Sequence, residues 1–282
     1  MPQAFTPDEM SRRVVKLQEE MDRAGIDCAI ASSVHTSFYY SGFWFSLPFG
    51  RLGATIVPRQ GEVVLIAPQM ESHRARDFSW LKDIRTYSDD KSALSGTVDL
   101  LKQVISEKGL EQGKIGVEED ALPHAQWVAI REAFPRASLV DISQIMMRQR
   151  FVKSPEEIEL MKQGGEVCVA AAKALEEALE EGVTEIDVAA AGATVMGEEF
   201  KRRFPDFEYT GVLSVCRSGH RSIYGHTGPT AKRIQRGEVN LFGAEPEIMG
   251  YYYTLLRERV VGPVPEAMKK PFDVRLEAAH RC

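Results

Sequence analysis

Two helix-start signals, Ser154-Pro155-Glu156-Glu157 and Thr184-Glu185-Ile186-Asp187, constrain the second half of the chain most tightly. In each, a hydroxyl residue is followed three positions later by a carboxylate, so side chains and free backbone N–H groups can satisfy one another. The first predicts a long helix to about residue 181, stopped by Gly182, and the second a helix to about residue 203. Arg236-Gly237 then reads as a turn and 238–245 as a strand. Pro246 is expected to break that strand, and 249–257 to pair back onto it. Two long helices followed by a hairpin predict an α+β domain, with one more helix over 266–280.

The first half reads differently. Thr6-Pro7-Asp8-Glu9 predicts a helix start, with Thr6 as cap, Pro7 in the first turn and Glu9 as capping-box partner. Val14, Leu17, Met21 and Ala24 follow at helical spacing up to Gly25. Strands are expected at 27–32, 51–57, 63–67, 84–87, 114–117 and 139–141, with a hairpin turn at 58–62. Helical stretches around 38–40, 69–77, 96–108 and 123–134 alternate with them, which predicts a compact α/β domain. Residues 141–153 read as the crossing, giving domains at 1–148 and 149–282.

Composition narrows the classes. A net charge of −6 offers no basic footprint for nucleic acid. No apolar run is long enough to span a bilayer, and the N-terminus has no apolar signal-peptide core. The four cysteines, Cys28, Cys168, Cys216 and Cys282, are far apart with no CxxC, so neither a disulfide framework nor a zinc knuckle is expected and a reducing cytoplasm fits. His220 and His226 sit in a Gly-rich polar loop before the hairpin, where a titratable imidazole can serve a reaction.

Several separated segments resemble the creatinase–prolidase (pita-bread, M24-like) family, its creatinase branch most closely. They are FYYSGF and PFGR in the first domain, RFVKSPEEIELM at the crossing, and RSG, GHTGPTAKRIQRGE and GYYYTLLR in the second. The resemblance implies an α/β N-terminal creatinase-like domain and an α+β pita-bread catalytic domain. It also implies further strands and site residues past Cys282, so 149–282 is expected to be the N-terminal half of its domain and the chain to be C-terminally incomplete.

The resemblance carries specific residues. Peptidase members hold metal with two aspartates around a Gly-Tyr pair; the matching positions here are Gly243 and Thr254, which supply no carboxylate. No metal and no cofactor is therefore expected. Glu245, on the same strand face as Gly243, is the one displaced carboxylate, expected to be solvated or paired with an arginine. His226 matches the acid/base histidine of the creatinase branch, whereas His220 is expected to be structural. Phe49 and Arg51 match a loop that reaches a neighbouring subunit's site, which implies a homodimer with Arg51 clamping a substrate carboxylate. Tyr252 matches a substrate-contacting tyrosine. Leu256 stands where that branch has a glutamate for a guanidinium, which points away from creatine. The resulting expectation is metal-independent hydrolysis of a C–N bond in a small carboxylate-bearing amide or amidine. The alternatives are an Xaa-Pro metallopeptidase and a non-catalytic homologue or inactive fragment.

Overall fold

The computed structural model describes residues 4–45, 53–209 and 211–281. The chain forms two compact units, Met1–Ile158 and Glu159–Cys282. Phe49 and Arg51 lie outside the described residues.

The first unit contains α1 (Pro7–Ala24), β1 (Cys28–Ala31), α2 (Val34–Ser41), β2 (Ala54–Pro58), β3 (Val64–Pro68), α3 (Ser72–Phe78) and β4 (Asp83–Tyr87). These are followed by α4 (Ala93–Glu107), β5 (Lys114–Val117), α5 (His124–Ala133), β6 (Ser138–Asp141) and α6 (Ser143–Phe151). The six strands make one mixed sheet in the order β4-β3-β2-β1-β5-β6, with β2 antiparallel to both its neighbours. β1 shows why its strands read as apolar runs. Ala29 and Ala31 face the core built with α1 and α2, while Cys28 and Ile30 face the core built with α4 and α5. Both sheet faces are covered, so the period-two signal is filled in on both sides.

The capping residue of α1 is as expected: the Thr6 hydroxyl accepts from the Glu9 N–H at 3.3 Å. Glu9 does not return the bond. Its carboxylate is held by Arg12 and Arg13, at 2.7 and 2.8 Å. Glu156 takes the vacant role, accepting from the Thr6 N–H at 2.9 Å and hydroxyl at 2.6 Å. Arg13 is fully buried, with its guanidinium 3.9 Å from the Phe5 ring centroid and 4.3 Å from that of Tyr39. The stretch 141–153, read as a crossing, is largely helix α6, with Met146 fully buried in the core.

This network gives an acid-sensitive contribution. Burial opposes ionisation of Glu9, but hydrogen bonds from Arg12 and Arg13 outweigh it and lower the pKa from 4.5 to about 2. A carboxyl with a depressed folded-state pKa stabilises fully above its unfolded value and loses that contribution as pH falls through the folded one. The expected result is a loss of first-unit stability between about pH 4.5 and about 2, with a flatter profile in E9Q. Tryptophan fluorescence, excited selectively over tyrosine, reads this unit alone, because all three tryptophans (Trp44, Trp80 and Trp127) lie within it.

The remaining helices and strands are α7 (Pro155–Glu177), which begins at the end of the first unit, α8 (Glu185–Arg203), β7 (Gly211–Ser218), β8 (Val239–Ile248), β9 (Tyr251–Tyr252), β10 (Leu255–Val260) and α9 (Glu266–Arg281). Both capping boxes form. Ser154 and Glu157 exchange bonds of 2.8 and 3.2 Å, and Thr184 caps Asp187 reciprocally. α7 ends at Glu177, a few residues before the expected stop.

β8 is the middle strand, antiparallel to β7 on one side and to β9 and β10 on the other. Pro246 does not break it: β8 runs on to Ile248, with Pro246 opposite Val212. Its carbonyl accepts from the Tyr253 N–H at 3.0 Å, so its missing N–H faces the edge where pairing lapses between β9 and β10. The expected second strand is divided there, at Tyr253-Thr254. Tyr253 turns inward, donates its hydroxyl to the Leu160 carbonyl at 3.1 Å, and rests on Gly164. A Cβ at Gly164 would stand 2.2 Å from that ring, so only glycine admits the contact.

Candidate active site

Strand alternation sorts the second sheet into two faces. Asn240, Phe242, Ala244 and Ile248 are buried, and Ser214 points with them toward α8, where Gly192 lies close to its hydroxyl. The other face carries Leu241, Gly243, Glu245 and Glu247 of β8. Their cross-strand partners Arg217, Val215, Leu213 and Gly211 of β7 project from the same side. Leu256 lies opposite Gly243, and Tyr252 opposite Glu247. This second face is the candidate site.

Its polar centre is a phenol–carboxylate pair. Tyr252, 60% exposed, donates its hydroxyl to Glu245. Glu245 is thus engaged by a tyrosine, rather than by the solvent or arginine expected. The bond to Glu245, reinforced by burial, pushes the Tyr252 pKa up to about 12, so it stays a donor at neutral pH. Burial raises the pKa of the neighbouring Glu247.

The residues at Gly243 and Thr254 do not make a metal site. A Cβ added at Gly243 would fall 2.4 Å from the Leu255 carbonyl oxygen and 2.5 Å from a Leu256 methyl carbon. Strand β10 therefore occupies the space that a carboxylate at 243 would need. With Thr254 neutral and Glu245 bound to Tyr252, the donors present do not fit a divalent ion. Among the described residues, no group of three or more His, Cys, Asp or Glu side chains is arranged to hold one.

His226 is exposed, on the loop between Ile223 and β8. Arg217 ties this loop to the sheet. Its guanidinium donates to the carbonyls of Thr227 (2.7 Å), Gly225 (2.8 Å) and Tyr224 (3.2 Å). His220 packs edge-on against Tyr224, with ring centroids 5.5 Å apart.

Under the loop lies Glu185, fully buried at the first turn of α8. Its carboxylate accepts from the Ser218 N–H and hydroxyl at 2.8 and 2.9 Å. It also accepts from the Thr230 N–H and hydroxyl at 2.9 and 2.8 Å, and from Arg221 at 3.1 Å. Burial works against ionisation, but the Ser218 and Thr230 bonds outweigh it and lower the Glu185 pKa. Sequence reading missed both Glu185 and Arg217. Glu185 lay inside a helix-start motif and Arg217 inside the RSG segment, and neither setting marks a buried charge.

Lys232 approaches the Ser218 hydroxyl at 2.8 Å, as in a serine–lysine nucleophile pair. Ser218, however, is fully buried and donates to Glu185, while the Lys232 ammonium is neutralised by Glu238 at 2.6 Å. The pair is a structural strut. Cys28, Cys168 and Cys216 are buried free thiols whose pKa burial raises to about 12, 11 and 12, so they supply no nucleophile. Among the described residues, no helix is long and apolar enough to cross a membrane.

The fold and this site define a two-domain pita-bread protein, and comparison with known proteins places it. Residues 13–152 match the creatinase/prolidase N-terminal domain, and residues 159–282 match metallopeptidase family M24. The chain belongs to the creatinase–prolidase family. It is 31% identical to creatinase of Bacillus sp. (strain B-0618) over 277 residues, 98% of this chain and 66% of that protein. It is 25% identical to an Xaa-Pro dipeptidase of Lactobacillus helveticus over 264 residues, 93% of this chain and 69% of that one. The solved X-Pro aminopeptidase from Thermotoga maritima MSB8 shares the fold, with a TM-score of 0.80 at 22% identity over 95% of this chain and 70% of that one. The chain thus spans about two thirds of the length of these relatives.

Proposed function

We propose that the protein is a metal-independent, creatinase-like hydrolase of a C–N bond in a small carboxylate-bearing amide or amidine. The observation that carries this reading is the closed space at Gly243, where β10 leaves no room for a carboxylate ligand. Without an ion to activate water, a side chain must take the proton. His226 serves as acid/base: its imidazole accepts a proton from water as the oxygen bonds to the substrate carbon, then delivers it to the departing nitrogen as the C–N bond breaks. On the open face Tyr252 contacts the substrate, as a hydrogen-bond donor that exchanges its bond to Glu245 for one to the substrate. Arg51 and Phe49 of a second copy would complete the site in a homodimer, with the guanidinium pairing the substrate carboxylate. The buried free thiols fit a cytoplasmic setting.

A second reading, an Xaa-Pro dipeptidase, is favoured by the likeness to the Lactobacillus helveticus enzyme. Two measurements separate the readings. Elemental analysis of the purified protein should find manganese, zinc and cobalt well below one ion per chain; a stoichiometric ion would favour the dipeptidase. A substrate panel of creatine, cyclic amidines, N-acyl amino acids and Xaa-Pro dipeptides should give turnover of an amide or amidine. Turnover of Xaa-Pro dipeptides alone overturns the proposal.

A further inference from the structure

Arg217 is a buried charge that the proposed reaction does not use directly. It is 5% exposed, and its side chain leaves β7 on the same face as Gly243 and Glu245, since it pairs with Leu241. The guanidinium reaches the carbonyls of Tyr224, Gly225 and Thr227, at 2.7–3.2 Å. Those carbonyls bracket residue 226 on both sides, while its imidazole stays exposed. A planar fork with several fixed donors can lock a turn of chain in one orientation; an ammonium, as a point charge, cannot. The stretch after Ile223 has no helix or strand of its own until β8. Main-chain hydrogen bonds to 182–186 hold residues 230–234, whereas 224–228 are oriented by side-chain clamps, with Arg221 adding one more to the Gly228 carbonyl at 2.8 Å.

We propose that Arg217 is a positioning residue for His226, holding the histidine loop over the open sheet face so that the imidazole meets the reacting atoms. This rests on the acid/base reading of His226. It deepens that reading by naming what sets the geometry.

The test uses R217A and R217K beside H226A in the purified chain. Hydrogen–deuterium exchange, read without substrate, should rise about tenfold or more across 224–228 in R217A, while α7 and α8 stay protected. With the panel compound turned over fastest, kcat should fall about 100-fold, the cost of misplacing a reacting group by about 1 Å, while KM changes less than about threefold. Added guanidinium ion should restore part of the lost kcat and the wild-type pH profile, and methylammonium should not. Wild-type exchange across 224–228 in R217A overturns the proposal, and so does wild-type kcat. Should R217A fail to fold, R217K decides. A kcat loss of tenfold or more at unchanged Tm supports the clamp, and full kcat overturns it. H226A tests the parent reading separately. Full turnover there removes the acid/base role and the positioning role with it, whereas an inactive H226A beside a wild-type-like R217A removes the clamp alone.

Discussion

H226A is expected to lose turnover by about 10²–10⁴-fold, the usual contribution of a positioned general acid/base. The loss should fall on kcat, with KM changed only a few-fold, because a proton in flight is bound in the transition state and not in the ground state. H226Q should be as inactive, since an amide can hydrogen-bond but cannot carry a proton at neutral pH. The measurement is steady-state kinetics on the panel compound turned over fastest. A variant within twofold of the parent would remove His226 from the mechanism. The exposure of His226 beside a clamped backbone fits this role, since a proton carrier must reach both water and substrate.

E185A is expected to destabilise the second unit by about 3–5 kcal/mol, the cost of removing one partner from a buried charged network. The carboxylate satisfies donors from Ser218, Thr230 and Arg221, and the Ser218 donors are fully buried. Alanine would leave the Ser218 donors without this acceptor and out of reach of water. A loss of that size is a large fraction of the stability of an ordinary domain, about 5–15 kcal/mol. E185Q should lose less but still be destabilised, because its amide nitrogen would face donors. The sign of the pH effect follows from the lowered pKa. The contribution is present above the ordinary carboxylate value and fades as pH falls through the folded value. The E185Q profile should lack that acid limb. Urea unfolding followed by far-UV circular dichroism measures both effects, and an E185A midpoint equal to the parent's would refute the network's role.

The two predictions meet in one piece of chemistry. Glu185 ties the base of the loop to β7 through Ser218 and Thr230, and Arg217 ties its outer turn through backbone carbonyls. The reactive side chain itself makes none of these contacts. A loop that holds its backbone rigidly and leaves one imidazole free is pre-organised for proton transfer.

Local signals in the sequence determined most of the helices and strands. Thr6, Ser154 and Thr184 mark helix starts because a capping hydroxyl acts within one turn. The alternation of residues along β8 set which side chains share the face with Gly243, because a strand has a period of two wherever it is placed. The resemblance carried by scattered motifs named the family for the same reason: those segments keep their order along the chain. Tertiary structure decided the rest. Glu9 was drawn from its cap by arginines, and Glu156, far away in sequence, replaced it. Pro246 stayed within its strand because its bare nitrogen faces a gap in pairing. Glu245 found a tyrosine hydroxyl, and Gly243 lost its side-chain space to β10. The burial of Arg217 and Glu185 has no local signature, since a charge becomes buried only when the whole fold brings it enough hydrogen-bond partners to replace water.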